Sequence, residues 1–341
     1  MVQPENVDLF LESMVNVALK DERSLMEFPF FSLQKQPRMT PLVYQDERVK
    51  IEIRPGERGV ATTWDKDVLI YAASIINARL ERGEPVERTI HFPAYDFLRT
   101  THRGTGKISY ELLFDALFRL RSTTIVTTIE AGGEKERRGF GWIDNWKAVD
   151  RTDSRGRKIL AAVQITLNDW MFRAIVKDRR VLTINRDYFK LGMGLERRLY
   201  ELARKHCGSQ QEWRISLDRL YQKCGSTDTL RKFKFRLKQA IERDNIPDYR
   251  FSLSMDPETW PAGIEPPRRL TQEKILVRIL PKSLTEDAPV TSMIGVKGAR
   301  KNGNASSEER ERSSRKIGNL DARKNGNETS EDRERDSDLS D

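Results

Sequence analysis

Apolar residues recur along the chain at two spacings, and the places where one gives way to the other outline the elements. Val49–Ile53 alternates and runs into Arg54-Pro55-Gly56, which predicts a short strand and a turn. In Thr63–Arg82 the residues Trp64, Val68, Tyr71, Ala72, Ile75, Ile76 and Leu80 recur at helical spacing, with Asp65 and Asp67 at the positive end and Gly83 as the stop. A strand around Val86–Phe92, a short helix over Pro93–Thr101, the turn Gly104-Thr105-Gly106 and a longer helix over Lys107–Arg121 follow. Thr123–Ile129, rich in β-branched residues, and Gly139–Val149 read as two strands facing each other across a polar turn at Gly132–Arg138. A strand at Lys158–Thr166 and a helix at Asp169–Val176 close this half.

The order then recurs. A helix over Gly194–His206 precedes a strand at Trp213–Ile215, a helix at Leu217–Lys223, the turn Gly225-Ser226 and a helix over Thr229–Arg243; Tyr249–Met255 and Lys274–Leu280 read as strands. Helix, turn, helix and hairpin is the order of a winged helix, whose second helix enters a DNA groove. Asp96-Phe97-Leu98 overlays Asp218-Arg219-Leu220, and Phe114 to Ile125 spans the same steps as Phe235 to Ile246. The expected fold is therefore α+β, with two tandem pseudo-symmetric winged-helix domains over 29–178 and 179–283, an N-terminal arm over 1–28 and a tail over 284–341.

Composition separates the tail from the body. Residues 284–341 carry eleven Lys/Arg against thirteen Asp/Glu, few aliphatics and no aromatics, so disorder is expected there. The excess of 61 basic over 52 acidic residues in the whole chain thus resides in the body, which suits a polyanionic partner. Cys207 and Cys224 are too few for a disulfide framework, and no signal peptide or membrane-spanning run is visible; a soluble cytoplasmic protein is expected.

Within Thr229–Arg243, Leu230, Phe233, Leu237, Ala240 and Ile241 form one apolar stripe. The opposite side presents Arg231, Lys232, Phe235 and Gln239, flanked by Lys234, Arg236, Lys238 and Arg243. Arg pairs with guanine, Gln with adenine, Phe meets a thymine methyl and Lys sits on phosphates, so this face suits a major groove; a basic solvated surface is the competing reading. The helix Lys107–Arg121 is apolar around most of its circumference and shows Glu111, Asp115 and Arg119 on a narrow polar stripe, which makes it a poor base reader. Its basic start, with Arg103, Thr105, Lys107 and Ser109, suits either a phosphate at a helix N-terminus or an ordinary glycine-containing cap turn. Lys135, Arg137, Arg138, Arg151, Arg155, Arg157 and Lys158 are further phosphate candidates at hairpin tips.

No catalytic chemistry is legible. Gly104-Thr105-Gly106-Lys107 lacks the spacing of a phosphate loop and places Ile108 where the magnesium-binding hydroxyl belongs. His91, His102 and His206 are too scattered for metal-dependent nicking, and His206, Cys207 and Cys224 match no usual zinc spacing. Neither an enzyme nor a cofactor or metal is expected.

Four strings carry a likeness: Gly59-Val60-Ala61 leading into Trp64-Asp65-Lys66-Asp67-Val68-Leu69-Ile70-Tyr71; Leu113-Phe114-Asp115-Ala116-Leu117-Phe118-Arg119-Leu120; Gly141-Trp142-Ile143; and Glu196-Arg197-Arg198-Leu199-Tyr200-Glu201-Leu202-Ala203-Arg204-Lys205. Over about Pro29 to Leu253 the chain resembles the plasmid replication initiator protein A family. The resemblance implies two pseudo-symmetric winged helices that bind repeated origin sites in double-stranded DNA, melt an adjacent AT-rich region and recruit host proteins, among them the host initiator and the replicative helicase. It also implies a monomer at the origin and a homodimer in a repressor form, with base contacts mainly from the second domain, and dimerisation and additional contacts to the DNA backbone from the first. Asp8, Leu9 and Phe10 resemble the short peptide by which bacterial replication proteins hold the sliding clamp, although Asn6 departs from the usual Gln. The competing reading is one side of an amphipathic helix formed by Leu9, Phe10, Met14 and Val17. A transcriptional regulator or a DNA-packaging protein would use the same domains; an initiator differs from both in requiring evenly spaced copies of one site.

Overall fold

The computed structural model describes residues 17–46, 49–131, 134–152, 158–255 and 275–284. The chain enters through a strand, β1 (Lys20–Glu22), and a short helix, α1 (Arg23–Glu27), then forms β2 (Leu42–Gln45) and β3 (Val49–Arg54). The first repeat follows: α2 (Lys66–Glu81), β4 (Thr89–Pro93), α3 (Ala94–Thr100), α4 (Lys107–Ser122), β5 (Thr124–Ala131), β6 (Glu134–Phe140), β7 (Ile143–Thr152), β8 (Lys158–Leu167) and α5 (Asp169–Val176). After β9 (Val181–Thr183) and a 3-10 turn at Arg186–Lys190 comes the second: α6 (Gly194–His206), β10 (Trp213–Ser216), α7 (Leu217–Cys224), α8 (Leu230–Arg243), β11 (Tyr249–Met255) and β12 (Ile275–Pro281).

Sheet order exposes the repetition better than sequence identity does. The antiparallel sheets run β4-β8-β7 and β10-β12-β11, so in each repeat the strand before the helix pair lies against the last strand, and the remaining strand is an edge. That is winged-helix topology, twice. Asp96-Phe97-Leu98 lies in α3 and Asp218-Arg219-Leu220 in α7, with Leu98 and Leu220 both fully buried. The first repeat differs by an insertion, because β5 and β6 leave it to complete the antiparallel sheet β2-β3-β5-β6.

The insertion corrects the strand expected at Gly139–Val149. The hairpin of the first winged helix is β7–β8; Glu134–Phe140 pairs instead with β5, and most of the supposed turn Gly132–Arg138 is strand. The chain breaks between β6 and β7 for a steric reason. A Cβ at Gly141 would meet the Arg121 carbonyl at 3.0 Å, and Trp142 turns into the core, its ring stacked 5.0 Å from Phe31 and its amide bonded to Leu120 O at 3.1 Å. The helix expected to begin at Thr63 begins at Lys66, since Thr62 and Asp65 close a reciprocal turn ahead of it: Thr62 N donates to Asp65 Oδ2 at 2.7 Å and Asp65 N to Thr62 Oγ1 at 3.3 Å.

One contiguous apolar cluster extends from Leu19 to Ile279 and spans both repeats. α2 runs through it and is buried on every side from Lys66 to Ala78. Lys66, at the start of that helix, is 0% exposed; its ammonium lies 2.7 Å from Asp21 Oδ2 in β1 and 3.0 Å from Glu201 Oε1 in α6. Glu201 also accepts from Arg198 Nη1 at 3.0 Å and from the Tyr188 hydroxyl at 2.7 Å. Arg198 donates to the carbonyls of Met26, Glu27 and Lys223, and Arg197 binds Asp67 at 2.7 Å and the carbonyls of Leu191 and Phe189. Burial works against both carboxylates around Lys66. Against it, Lys66, Arg198 and Tyr188 hold Glu201 below the usual carboxylate range, whereas Asp21, which burial raises and only Lys66 among the described residues offsets, is left raised.

A second anchor joins α1 to the second repeat. Glu27 pairs with Lys205 and His206 at the end of α6 and with Lys223 at the end of α7. Burial alone would raise its pKa, but bonds from His206, Lys205 and Lys223 outweigh burial and hold the carboxyl well below its ordinary value of 4.5.

Two stability predictions follow from these anchors. Lys66→Met keeps much of the side-chain volume but leaves Asp21 and Glu201 without their cation, and should lower the unfolding free energy by about 3–5 kcal/mol in urea titration; a loss below about 1 kcal/mol would show that packing alone holds the joint. Glu27→Gln should destabilise by about 1.5–3 kcal/mol at neutral pH. Because the folded-state pKa is depressed, the carboxylate's contribution is present above 4.5 and lost as pH falls through the lower folded value, so wild type and Glu27→Gln should converge on acidification.

Candidate nucleic-acid interface

α8 is positioned by its ends. Gly225, with φ +62°, closes α7 in the left-handed conformation. The Tyr221 hydroxyl then donates to Asp228 O at 2.8 Å, and Thr229 caps α8 by accepting from Lys232 N. Phe233, Leu237 and Ala240 are buried, with the Phe233 ring 5.3 Å from that of Tyr221. The helix therefore cannot rotate without opening the core, and its outward side is fixed.

Arg231, Phe235 and Lys238 lie along that outward line at helical spacing and are all exposed, Phe235 to 61%. Neither Arg231 nor Lys238 meets a carboxylate among the described residues. Lys234 stands half-buried beside them, and burial together with the neighbouring Lys238 ammonium lowers its pKa. A phosphate placed there would relieve the repulsion between the two ammonium groups. Glu242 is exposed on the same line toward the C-terminal end, so the electropositive part of the face runs from Arg231 to Lys238.

The remaining α8 candidates are placed differently from the sequence expectation. Arg236 Nη1 lies 2.6 Å from Asp228 Oδ2, and Lys232 Nζ lies 3.3 Å from Asp228 Oδ1, so one carboxylate tethers both cations on the flank. Asp228 is thus an organiser of the site; its only trace in the sequence is an acidic residue directly before the cap. Gln239 is half-buried and, with Arg236 and Asp228, lines an open cavity of about 360 Å³ that the segment Ser32–Gln36 also lines. Arg243 is bonded to Glu196 of α6 at 3.0 Å.

In the first repeat the outward side of α4 has another character. Ile108 and Leu112 are exposed to 71% and 51%, beside Glu111. Asp115 pairs with Arg58, whose guanidinium lies over the Phe118 ring, and Arg119 is locked to Asp65 by two bonds of 2.7 and 2.8 Å. At the start of α4, Thr105 and Lys107 are exposed, Ser109 is half-buried and Lys107 reaches Glu111 at 3.7 Å. Arg103 does not join them as a phosphate ligand. It turns inward to Asp67 Oδ2 at 2.8 Å and to the Trp64 carbonyl, because Asp67 is fully buried and shared with Arg197.

Arg137 and Arg138 are exposed but stand within the edge strand β6, opposite Thr128 and Thr127, and not at a hairpin tip. Arg155 and Arg157, the Lys135, Arg151 and Lys158 side chains, the clamp-like Asp8, Leu9 and Phe10, and the tail from 285 onward lie outside the described residues. Cys207 and Cys224 are buried free thiols, and burial pushes the Cys224 thiol up to about 12. Among the described residues no three metal-ligating side chains converge, and no helix is long and apolar enough to cross a membrane.

Comparison with known proteins agrees with this architecture. Domains 2 and 3 of RctB, in a crystal structure of their selenomethionine derivatives, superpose with a TM-score of 0.52 at 12% identity, over 75% of this chain and 97% of that one, which shows a shared fold. A protein of Wigglesworthia glossinidia brevipalpis named "Putative replication protein" is 37% identical over 254 residues, 73% of this chain and 91% of the relative. The model of the family Replication initiator protein A matches residues 20–251. Matched over most of its length, with a winged helix in each repeat, the chain belongs to the replication initiator protein A family.

Proposed function

We propose that the chain is a sequence-specific origin-binding initiator that reads DNA with the Arg231–Lys238 part of α8. The observation that carries this reading is the exposed line Arg231, Phe235 and Lys238, whose cations meet no carboxylate among the described residues, on a helix fixed by its buried side after a helix and a turn. A guanidinium on that line suits the paired acceptors of guanine, an exposed ring suits a thymine methyl, and the ammonium groups suit the phosphates on either side. Family membership supports binding at repeated sites beside an AT-rich stretch, melting of that stretch and recruitment of the host initiator and replicative helicase. In this reading the protein works by binding and by deforming DNA, with no chemical step of its own, in the cytoplasm on plasmid DNA.

Binding of duplexes from the DNA flanking the gene tests the proposal. Footprinting should show several evenly spaced protected sites. Arg231→Ala should cost about 1–3 kcal/mol on the preferred duplex and relax preference at one position, whereas Lys238→Ala should weaken binding evenly across sequences and reduce the salt dependence by about one counterion. If Arg231→Ala bound every duplex as wild type does, α8 would not be the reading element.

A further inference from the structure

The cavity beside α8 has a second wall that belongs to the first half of the chain. Ser32 is bonded on both sides to the segment before α2, its N–H donating to Ala61 O at 2.9 Å and its carbonyl accepting from Thr63 N at 3.0 Å. The same segment is pressed against the second repeat. A Cβ on Gly194 would fall 2.2 Å from the Leu33 carbonyl oxygen, and one on Gly225 would fall 2.4 Å from Pro29 Cβ. Held from both directions, the chain turns outward at Gln34, Lys35 and Gln36, all three exposed.

The charge of this loop is one-sided. From Phe28 to Gln45 there is no acidic residue, while Lys35 and Arg38 fall within it. Arg38 is spent on the loop's own shape, donating to the carbonyls of Thr40 and Pro41. Lys35 is not: its ammonium lies 5.1 Å from the Trp64 ring centroid and meets no carboxylate among the described residues. Across the cavity, Asp228 is already neutralised by Lys232 and Arg236.

An α-helix with its side chains is about 10–12 Å across and a major groove about 12 Å wide, so a helix seated in the groove brings its flanks against the phosphodiester walls. The flank of α8 that bears Arg236 and Gln239 is continued by this loop, since both line one cavity. We infer that Gln34, Lys35 and Gln36 form a second clamp on the DNA backbone, with Lys35 on a phosphate of the strand bordering the groove that α8 reads. The inference rests on the reading of α8 given above. The clamp is supplied by the segment ahead of the first repeat to the DNA face of the second. Because the loop is fixed at both ends, at Ser32 by the bonds above and at Arg38, whose carbonyl accepts from Val60 N at 2.9 Å, little ordering is needed when DNA arrives.

The test uses the full chain and fluorescence anisotropy with labelled duplexes, one from the flanking DNA and one unrelated, over a range of salt. Lys35→Ala should weaken both duplexes alike and lower the slope of log K against log salt by ~0.9, the release of one phosphate contact, and Lys35→Arg should restore that slope. A Lys35→Cys protein carrying an iron chelate should cut the duplex backbone next to the bases whose preference Arg231→Ala relaxes; Cys207 and Cys224 are buried and should stay unlabelled. An unchanged slope for Lys35→Ala, or cutting remote from those bases, overturns the clamp. If Arg231→Ala still relaxes base preference in that case, the reading helix stands and the loop alone is rejected, whereas a wild-type chain that binds no duplex removes both.

Discussion

A single ammonium sits where three separate parts of the chain meet. Lys66 opens α2, Asp21 lies in the entering strand β1 and Glu201 lies in α6 of the second repeat; all three are buried. Two carboxylates around one cation in an apolar interior are tolerable only if further donors approach, and Arg198 and Tyr188 do so for Glu201. Arg198 in turn satisfies backbone carbonyls at the end of α1 and in α7. Attachment of the second winged helix to the first therefore depends on a polar network with strict geometry as well as on apolar packing.

The two repeats share topology but differ in the use of their second helix. In α8 the cations on the outward line meet no carboxylate among the described residues, and the acid nearby, Asp228, tethers only the flank. In α4 the polar residues are consumed internally: Arg119 by Asp65, Asp115 by Arg58 and, just ahead of the helix, Arg103 by Asp67. Along its middle α4 leaves Ile108, Leu112 and Glu111 outward, with exposed cations only at its two ends, Lys107 beside Glu111 and Arg121. One topology thus presents a face lined with cations in one repeat and a more apolar face in the other.

Much of this was legible in the sequence, for identifiable reasons. The limits of α5, α6 and α8 could be read within a residue or so, and the buried Phe233, Leu237 and Ala240 of α8 follow its apolar stripe, whereas α6 is buried all round from Gly194 to Ala203, with Glu196, Arg197, Arg198 and Glu201 inside. The strand at Gly139–Val149 could not, because hydropathy does not reveal that Gly141 must yield to the Arg121 carbonyl and that Trp142 abandons its sheet for the core. β1 and α1 were equally hidden, since their buried residues include Asp21 and Glu22, which read as surface until Lys66 and Arg180 are found beside them. The charged strings Trp64–Asp67 and Glu196–Glu201 identified the family, yet their structural meaning as an internal joint has no signature in one dimension. Arg103 failed as a candidate for the same reason.

The shared apolar cluster, unbroken from Leu19 to Ile279, has a mechanical consequence. Tandem DNA-binding modules on a loose tether can each settle on their own target and let the tether absorb any mismatch. Here no slack exists between the two winged helices, so the distance and angle separating the outward sides of α4 and α8 form a ruler built into the protein. Any molecule that engages both sides at once has to bend, twist or shift its own register to the divisions of that ruler.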